Sequence, residues 1–381
     1  MSMPFNGTRL REARRFRNLS ITELADKVNI SKQMISKYER GDSIPSAKTY
    51  SKLVFVLQFP LSFFQQSDKF TQINRGTFYR SRFTSTQTEK KQTELKKKYL
   101  AVLANLFEHY VDFPLLEKNS EFSSNPAIAA QELRIHWGLG TSPISDMVPL
   151  LEKHGFKLAL VSSKTSKVDA FSSSVEINGI EYYCILIETQ NNAFFRQQFS
   201  LAHELGHWVL HSGKVQPQEL DTNEYHIMED EANTFAANFL LPAVQFKNDI
   251  VDDKENLSIY CQLKKKWKVS ISSMIYRANS LGILSPNEFR NLQKKISYHH
   301  WRKVEPLDKE VFIKKPVLMR QAFELINQVE SFDANVINEK LDKEYGMPLP
   351  LNVISELIGV SEDQLRTSTP KIINGINFKN H

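Results

Sequence analysis

One run of residues restricts the folding of this chain more than any other: Ser200-Leu201-Ala202-His203-Glu204-Leu205-Gly206-His207-Trp208-Val209-Leu210-His211. Read as a helix, it places residues four apart one turn apart on the same side, so His203 and His207 present two imidazoles to one ion. Glu204 is rotated about 100° from His203. It misses the ion but reaches a water bound there. A bound zinc ion lowers the pKa of such a water, and a carboxylate at that place takes its proton. The bland alternative is a pair of satisfied core histidines. Glu204 tells against it, because a purely structural site has no use for a general base.

A catalytic zinc site needs a third protein ligand and an open fourth position. Downstream stands Met228-Glu229-Asp230-Glu231-Ala232-Asn233-Thr234-Phe235-Ala236-Ala237-Asn238-Phe239-Leu240-Leu241-Pro242. Phe235, Ala236, Phe239 and Leu240 form a helical apolar stripe that Pro242 helps to end. Asp230 points away from the stripe. Glu229 and Glu231 flank it on opposite edges, so periodicity leaves both open as ligands. His211, one turn beyond His207, is read as a supporting partner. His226 is read as a loop histidine.

The net charge of +6 is unevenly distributed: residues 1–65 hold eleven Lys/Arg against five Asp/Glu and so carry the whole excess. That is the distribution expected of one module that meets a polyanion. In this module Ser20 and Glu23 form a capping-box signature ahead of Leu24, Ala25 and Val28. Asn29-Ile30 makes a tight turn, Ser31 caps a second helix, and Gly41 stops it. Lys32, Gln33, Ser36, Lys37 and Arg40 remain on its outer face. Two short helices around such a turn, with polar residues near the start of the second, suit the major groove. Gln reads adenine, and Lys serves guanine or phosphate. The segment 10–64 resembles the phage-repressor-like (Cro/C1, or XRE) helix-turn-helix family through Leu24-Ala25, Ser31 and Ile35-Ser36-Lys37-Tyr38-Glu39-Arg40-Gly41. That likeness implies DNA contact by Lys32, Gln33 and Lys37.

The rest of the chain is less explicit. Residues 66–100 are polar and charged and read as an accessible linker, followed by an amphipathic helix over 95–111 that carries Leu95, Tyr99, Leu103, Leu106 and Tyr110. The run 176–188 reads as one buried strand entered through Asn178-Gly179, and a peptide substrate is expected to add beside it. Residues 298–381 read as helical with a frayed end. Two cysteines, Cys184 and Cys261, make no disulfide framework. The Arg-rich N-terminus shows no secretory pattern, and the longest apolar stretch is too short to span a bilayer. The expectation is a cytoplasmic protein with no membrane partner.

Residues 127–284 resemble the ImmA/IrrE family of metallopeptidases, a minimal thermolysin-like (gluzincin) scaffold. The likeness rests on Arg196, Phe199-Ser200-Leu201-Ala202-His203-Glu204-Leu205-Gly206-His207, Leu210-His211, Glu231-Ala232-Asn233, Phe235-Ala236 and Phe239-Leu240-Leu241-Pro242. Asp169-Ala170-Phe171 and Trp267, Val269-Ser270 also fit. The resemblance implies Zn2+ (Mn2+ as the alternative ion) held by His203, His207 and Glu231, with Glu204 catalytic and Glu229 in reserve. It also implies a winged-helix-like pair over 263–284 that closes the peptidase.

The expected architecture is α+β and mostly helical: a five-helix helix-turn-helix domain at 1–68, a basic linker and connecting helix at 69–125, a metallopeptidase domain with a small sheet at 126–297, and a C-terminal helical domain at 298–381. Members of that peptidase family typically cleave a repressor. The expected partners are therefore a double-stranded DNA operator and a protein substrate, either a repressor or the chain itself, under stress-response or mobile-element control. Dimerisation is the role expected of the C-terminal part, since related readers bind paired half-sites. The alternative function is a non-proteolytic transcription factor, or antitoxin-like autorepressor, whose zinc domain is a sensor or scaffold.

Overall fold

The computed structural model describes residues 4–78, 87–117, 122–162, 170–189, 193–213, 219–250 and 253–366. It is mostly helical, with one small sheet. The N-terminal helices are α1 (Gly7–Phe16), α2 (Ile21–Val28), α3 (Lys32–Arg40) and α4 (Ala47–Leu57), closed by a 3-10 turn at Leu61–Phe64. Local chemistry sets their limits. Ser20 accepts from the Glu23 N–H while the Glu23 carboxylate accepts from the Ser20 N–H. Asn29 ends α2 at φ 59°, and Gly41 ends α3 at φ 81°. Glu39 is buried and takes a two-pronged bond from Arg14, at 2.5 and 2.9 Å, which ties α3 to α1.

Strand β1 (Gln72–Phe78) and the long helix α5 (Gln87–Phe107) follow, then α6 (Pro126–His136), α7 (Met147–Lys153), β2 (Lys157–Val161), β3 (Ala170–Ile177) and β4 (Ile180–Glu188). The sheet runs in the order β1-β3-β4-β2, with β2 parallel to β4 and the other pairs antiparallel. Asn178 and Gly179 both have positive φ, 50° and 83°, as a two-residue hairpin turn of the type I′ class requires. The expected single strand over 176–188 is therefore two strands, and Asn178-Gly179 is the turn between them. On β4, Tyr182, Cys184 and Leu186 enter one core while Tyr183, Ile185 and Ile187 enter the other. Both faces of the sheet are covered, which is why this run lacks the alternation of a half-exposed strand.

One side of the sheet carries α8 (Phe194–His211), α9 (Thr222–Leu240), α10 (Ala243–Asp249), α11 (Leu257–Trp267), α12 (Ile271–Ser280) and α13 (Pro286–Tyr298). Trp267, Val269, Ile271 and Met274 bury the α11–α12 pair against this core. The other side carries α5, the N-terminal helices, and α14 (Leu318–Val329), α15 (Ala334–Lys340), α16 (Leu351–Ile358) and α17 (Glu362–Arg366).

Helix α5 is the centre of that second core. Tyr99, Leu100, Val102, Leu103, Leu106 and Phe107 are all fully buried, each stabilising by roughly 1.5–3 kcal/mol relative to exposure. The polar segment 66–100, expected to be an accessible linker, instead contains an edge strand and the first turns of a helix that is buried from Lys96 on. Its charges are absorbed by specific partners. Lys96 pairs with Glu356 at 2.8 Å, Lys97 donates to the Ser172 carbonyl at 3.1 Å, and Lys98 pairs with Asp68 at 2.8 Å. The C-terminal helices fold back onto the N-terminal module, where Arg9 donates to the Gly346 carbonyl at 2.8 Å and the Lys69 N–H to the Tyr345 carbonyl at 3.1 Å. Residues 318–365 therefore complete an intramolecular core, and residues 372–381, expected to fray, lie outside the described residues.

Candidate metal centre

Helix α8 is buried along nearly its whole length, its polar residues Gln197, Gln198, Ser200, His203, Glu204, His207 and His211 included. It packs against α9, whose start is fixed by a capping box between Asp221 and Glu224. The end of α9 is held by buried guanidinium groups: Arg134 donates to the Phe239 carbonyl at 2.5 Å, and Arg277 to the Leu241 carbonyl at 3.1 Å. The two helices approach closely at Gly206, where a Cβ would lie 3.1 Å from the Phe235 ring and 3.2 Å from the Ala232 carbonyl oxygen. Glycine inside the histidine motif thus lets α9 bring a carboxylate within reach.

That carboxylate is Glu229. The Nε2 atoms of His203 and His207 stand 3.0 Å apart, and Glu229 lies 3.4 Å from the first and 3.5 Å from the second. Among the described residues these three form the one cluster of His, Cys, Asp or Glu donors spaced to hold a metal ion. The fit is good: tetrahedral zinc with bonds of about 2.1 Å has ligand atoms about 3.4 Å apart. Glu229 Oε1 is buried without a hydrogen-bond donor, as an oxygen kept for a cation would be. Burial works against the Glu229 carboxylate, but the two histidines hold it well below the usual range.

Glu231 does not join the cluster. Its carboxylate meets His211 Nε2 at 2.9 Å, and His211 Nδ1 meets His207 Nδ1 at 3.0 Å. It is 40% exposed at its side chain, against 11% for Glu229. Two positions on a helix correspond to a turn of about 200°, so the two carboxylates reach α8 from different sides, and Glu231 meets His207 only through His211. Burial, together with the His207 charge, pushes His211 down to about 4. Asn233 Oδ1 lies 3.0 Å from His203 Nδ1 and fixes the other imidazole. Such outer partners set ring orientation at metal sites. Exposed His226 stands within the first turns of α9 rather than in a loop.

Glu204, next to His203 in the chain, is 1% exposed. The Ser172 hydroxyl of β3 donates to Glu204 Oε2. Tyr183 of β4 lies 3.0 Å from the same hydroxyl and donates to the Glu204 backbone carbonyl at 3.4 Å. Behind Ser172 stands Lys97, fully enclosed; burial pushes its ammonium down to about 7, against the pull of Glu94, Glu204 and Cys184. Ser172, Tyr183, Lys97 and Asn233 are the site residues that the sequence did not announce. Of these, Asn233 lay inside the histidine-and-glutamate motifs and Tyr183 inside the run read as a buried strand, but neither was given a role there. Asp169, next to that region, lies outside the described residues.

The N-terminal surface is simpler. Lys32, Gln33 and Lys37 are exposed on α3. Ser36 is half-buried and accepts from Arg40 at 2.7 Å, and Arg40 also pairs with Asp42 at 2.8 Å, so Arg40 is engaged within the chain. No helix among the described residues is long and apolar enough to cross a membrane.

Comparison with known families agrees with both resemblances. Residues 10–64 match the helix-turn-helix family. Residues 151–279 match the peptidase family described as the IrrE N-terminal-like domain. No curated protein matches the chain.

Proposed function

We propose that this chain, which joins a helix-turn-helix domain to an IrrE-like peptidase domain, is a DNA-binding regulator with zinc-dependent endopeptidase activity. The observation that carries the reading is the convergence of His203, His207 and Glu229 beside Glu204. The three donors would hold the ion, Zn2+ by their nitrogen and carboxylate chemistry, with Mn2+ the alternative. When bound, the ion supplies a Lewis acid and an acidified water. With the ion in place, Glu204 would accept that water's proton and pass it to the leaving amine. Ser172 holds the carboxylate in place for both transfers. Lys32, Gln33 and Lys37 face the operator, with Ser36 and Arg40 shaping the helix surface. The substrate is a regulatory protein, a repressor or this chain itself.

The deciding experiment compares protein termini in cells that make the wild type or Glu204→Gln. New termini seen only with the wild type identify the substrate, while metal content stays equal in both. Identical profiles across several stresses favour the second reading, a non-proteolytic transcription factor whose metal domain is a sensor. One observation speaks for that alternative: the sheet edge next to Glu204 is already occupied by a strand of the same chain.

A further inference from the structure

Strand β4 touches Glu204 at its backbone, through Tyr183, but the strand that holds its carboxylate is β3. Its Ser172 hydroxyl donates to the Glu204 carboxylate. Strand β4, beside which a substrate was expected to add, is interior: β3 lies on one side of it and β2 on the other. Strand β2 is the far edge, where Glu356 accepts from the Ser162 N–H at 3.1 Å, so the C-terminal helices attend to that side. The edge next to the metal cluster is the outer edge of β3. Within the matched peptidase segment, 151–279, that edge would stand open, a row of unpaired N–H and C=O groups that invites an extended chain. Here β1, from outside that segment, covers it.

The pairing is antiparallel from Gln72↔Ile177 to Phe78↔Ser172, so the strand's last residue sits opposite the serine that holds Glu204. It is also imperfect. The register shifts between Asn74 and Thr77, whereas β3 and β4 pair through eight consecutive residues without a break. A bulged edge strand has lost part of its ladder and is easier to displace.

We infer that β1 is an intramolecular ligand of the peptide-binding edge of β3, so the chain rests with its own strand in the place a polypeptide substrate must take. This rests on the peptidase reading only for the cleavage that comes after binding. The ligand class is an extended polypeptide segment able to add as an antiparallel strand, and β1 itself (Gln-Ile-Asn-Arg-Gly-Thr-Phe) is its first example. Helix α5 follows β1 in the chain, its Lys98 pairs with Asp68 and its Tyr99 with Glu12 of α1, so movement of the DNA-binding helices is mechanically joined to the segment that blocks the edge.

The test uses the full chain in the Glu204→Gln background and a fluorescein-labelled peptide copying residues 70–78, with binding read by anisotropy. Loosening β1 with Ile73→Pro and Thr77→Pro frees the edge, and the peptide binds at least about tenfold more tightly than to the unloosened chain, since apparent affinity scales with the fraction of open molecules. Thr77→Cys with Ser173→Cys joins residues that are register partners. Opposed antiparallel Cα atoms stand about 4.5–5.5 Å apart, within the span of a disulfide. Oxidation of this pair abolishes peptide binding, and reduction restores it. Equal affinity in unloosened, loosened and oxidised chains overturns the inference, as does a loosened chain that melts normally yet takes no peptide. If the proline variant unfolds, the cysteine pair decides alone: uptake at high peptide concentration only after reduction supports the inference, and equal uptake in both states sinks it. Because Glu204→Gln does not cleave under the peptidase reading, binding is scored independently. Regulated binding together with no cleavage by chains retaining Glu204 would remove the peptidase reading and leave this one standing.

Discussion

Glu229 and Glu231 stand two positions apart on α9 and divide the work of one site. Glu229 faces both imidazoles directly, while Glu231 acts through His211 on the far nitrogen of His207. Removal of Glu229 should therefore abolish tight metal binding, whereas Glu231→Ala should weaken it by about 10–100-fold, the usual cost of an outer partner. Competition with a zinc chelator measures both, and the reverse order would return the ligand role to Glu231. Lys97 makes a second residue-level prediction. Its ammonium is lowered to about 7 from an ordinary 10.5 by burial. Between those values the unfolded chain binds more protons than the folded one, so this group makes stability rise as pH increases across the window. Its cost is fully present below pH 7. Relative to Lys97→Met, the wild type should gain up to a few kcal/mol between pH 7 and pH 10, read from urea unfolding at each pH. A pH-independent difference would show that the buried amine does not titrate there.

At the scale of elements, the readable parts were those specified within one or two helical turns. The Ser20–Glu23 box, the Asn29 turn and the Gly41 stop are contacts among near neighbours, and all three stand where local chemistry puts them. The same holds for α8, where four-residue spacing alone brings His203 to His207. What the sequence left open was decided between elements. Which edge of α9 faces α8 depends on the close approach at Gly206, so Glu229 and Glu231 were indistinguishable from periodicity. Strand β1 carries no alternating apolar pattern in its sequence, and it is placed by its backbone pairing with β3. Ser172 meets Glu204 only once β3 has paired with β4. Helix α3 provides the prediction at this scale: Lys32→Ala with Gln33→Ala should weaken operator binding and lower the slope of log affinity against log salt by about 0.9 for each phosphate no longer neutralised. Zinc content should not change, since neither residue approaches the metal cluster. Unaltered binding at matched salt would dismiss α3 as the reading helix.

The whole molecule is divided by its sheet rather than by its order along the chain. One core joins residues 10–64 to α5, one sheet face and the helices of 318–365; the other joins the second sheet face to α6 through α13. A boundary near residue 68 therefore passes through a continuous core, and the N-terminal module and C-terminal helices should unfold together. Phe332 is the test. It is fully buried, with its ring centroid 5.8 Å from that of Phe107 and 5.0 Å from that of Tyr110 at the end of α5. Phe332→Ala should cost about 3–5 kcal/mol. Hydrogen exchange should then quicken in α5 and also in α1, which is tied to α5 through Glu12 and Tyr99. Helices α8 and α9, which carry the candidate metal cluster, belong to the other core and should keep their protection. If exchange quickened only in the C-terminal helices, α5 would not transmit between the two ends of the chain, and control of the peptide edge by DNA binding would lose its physical route.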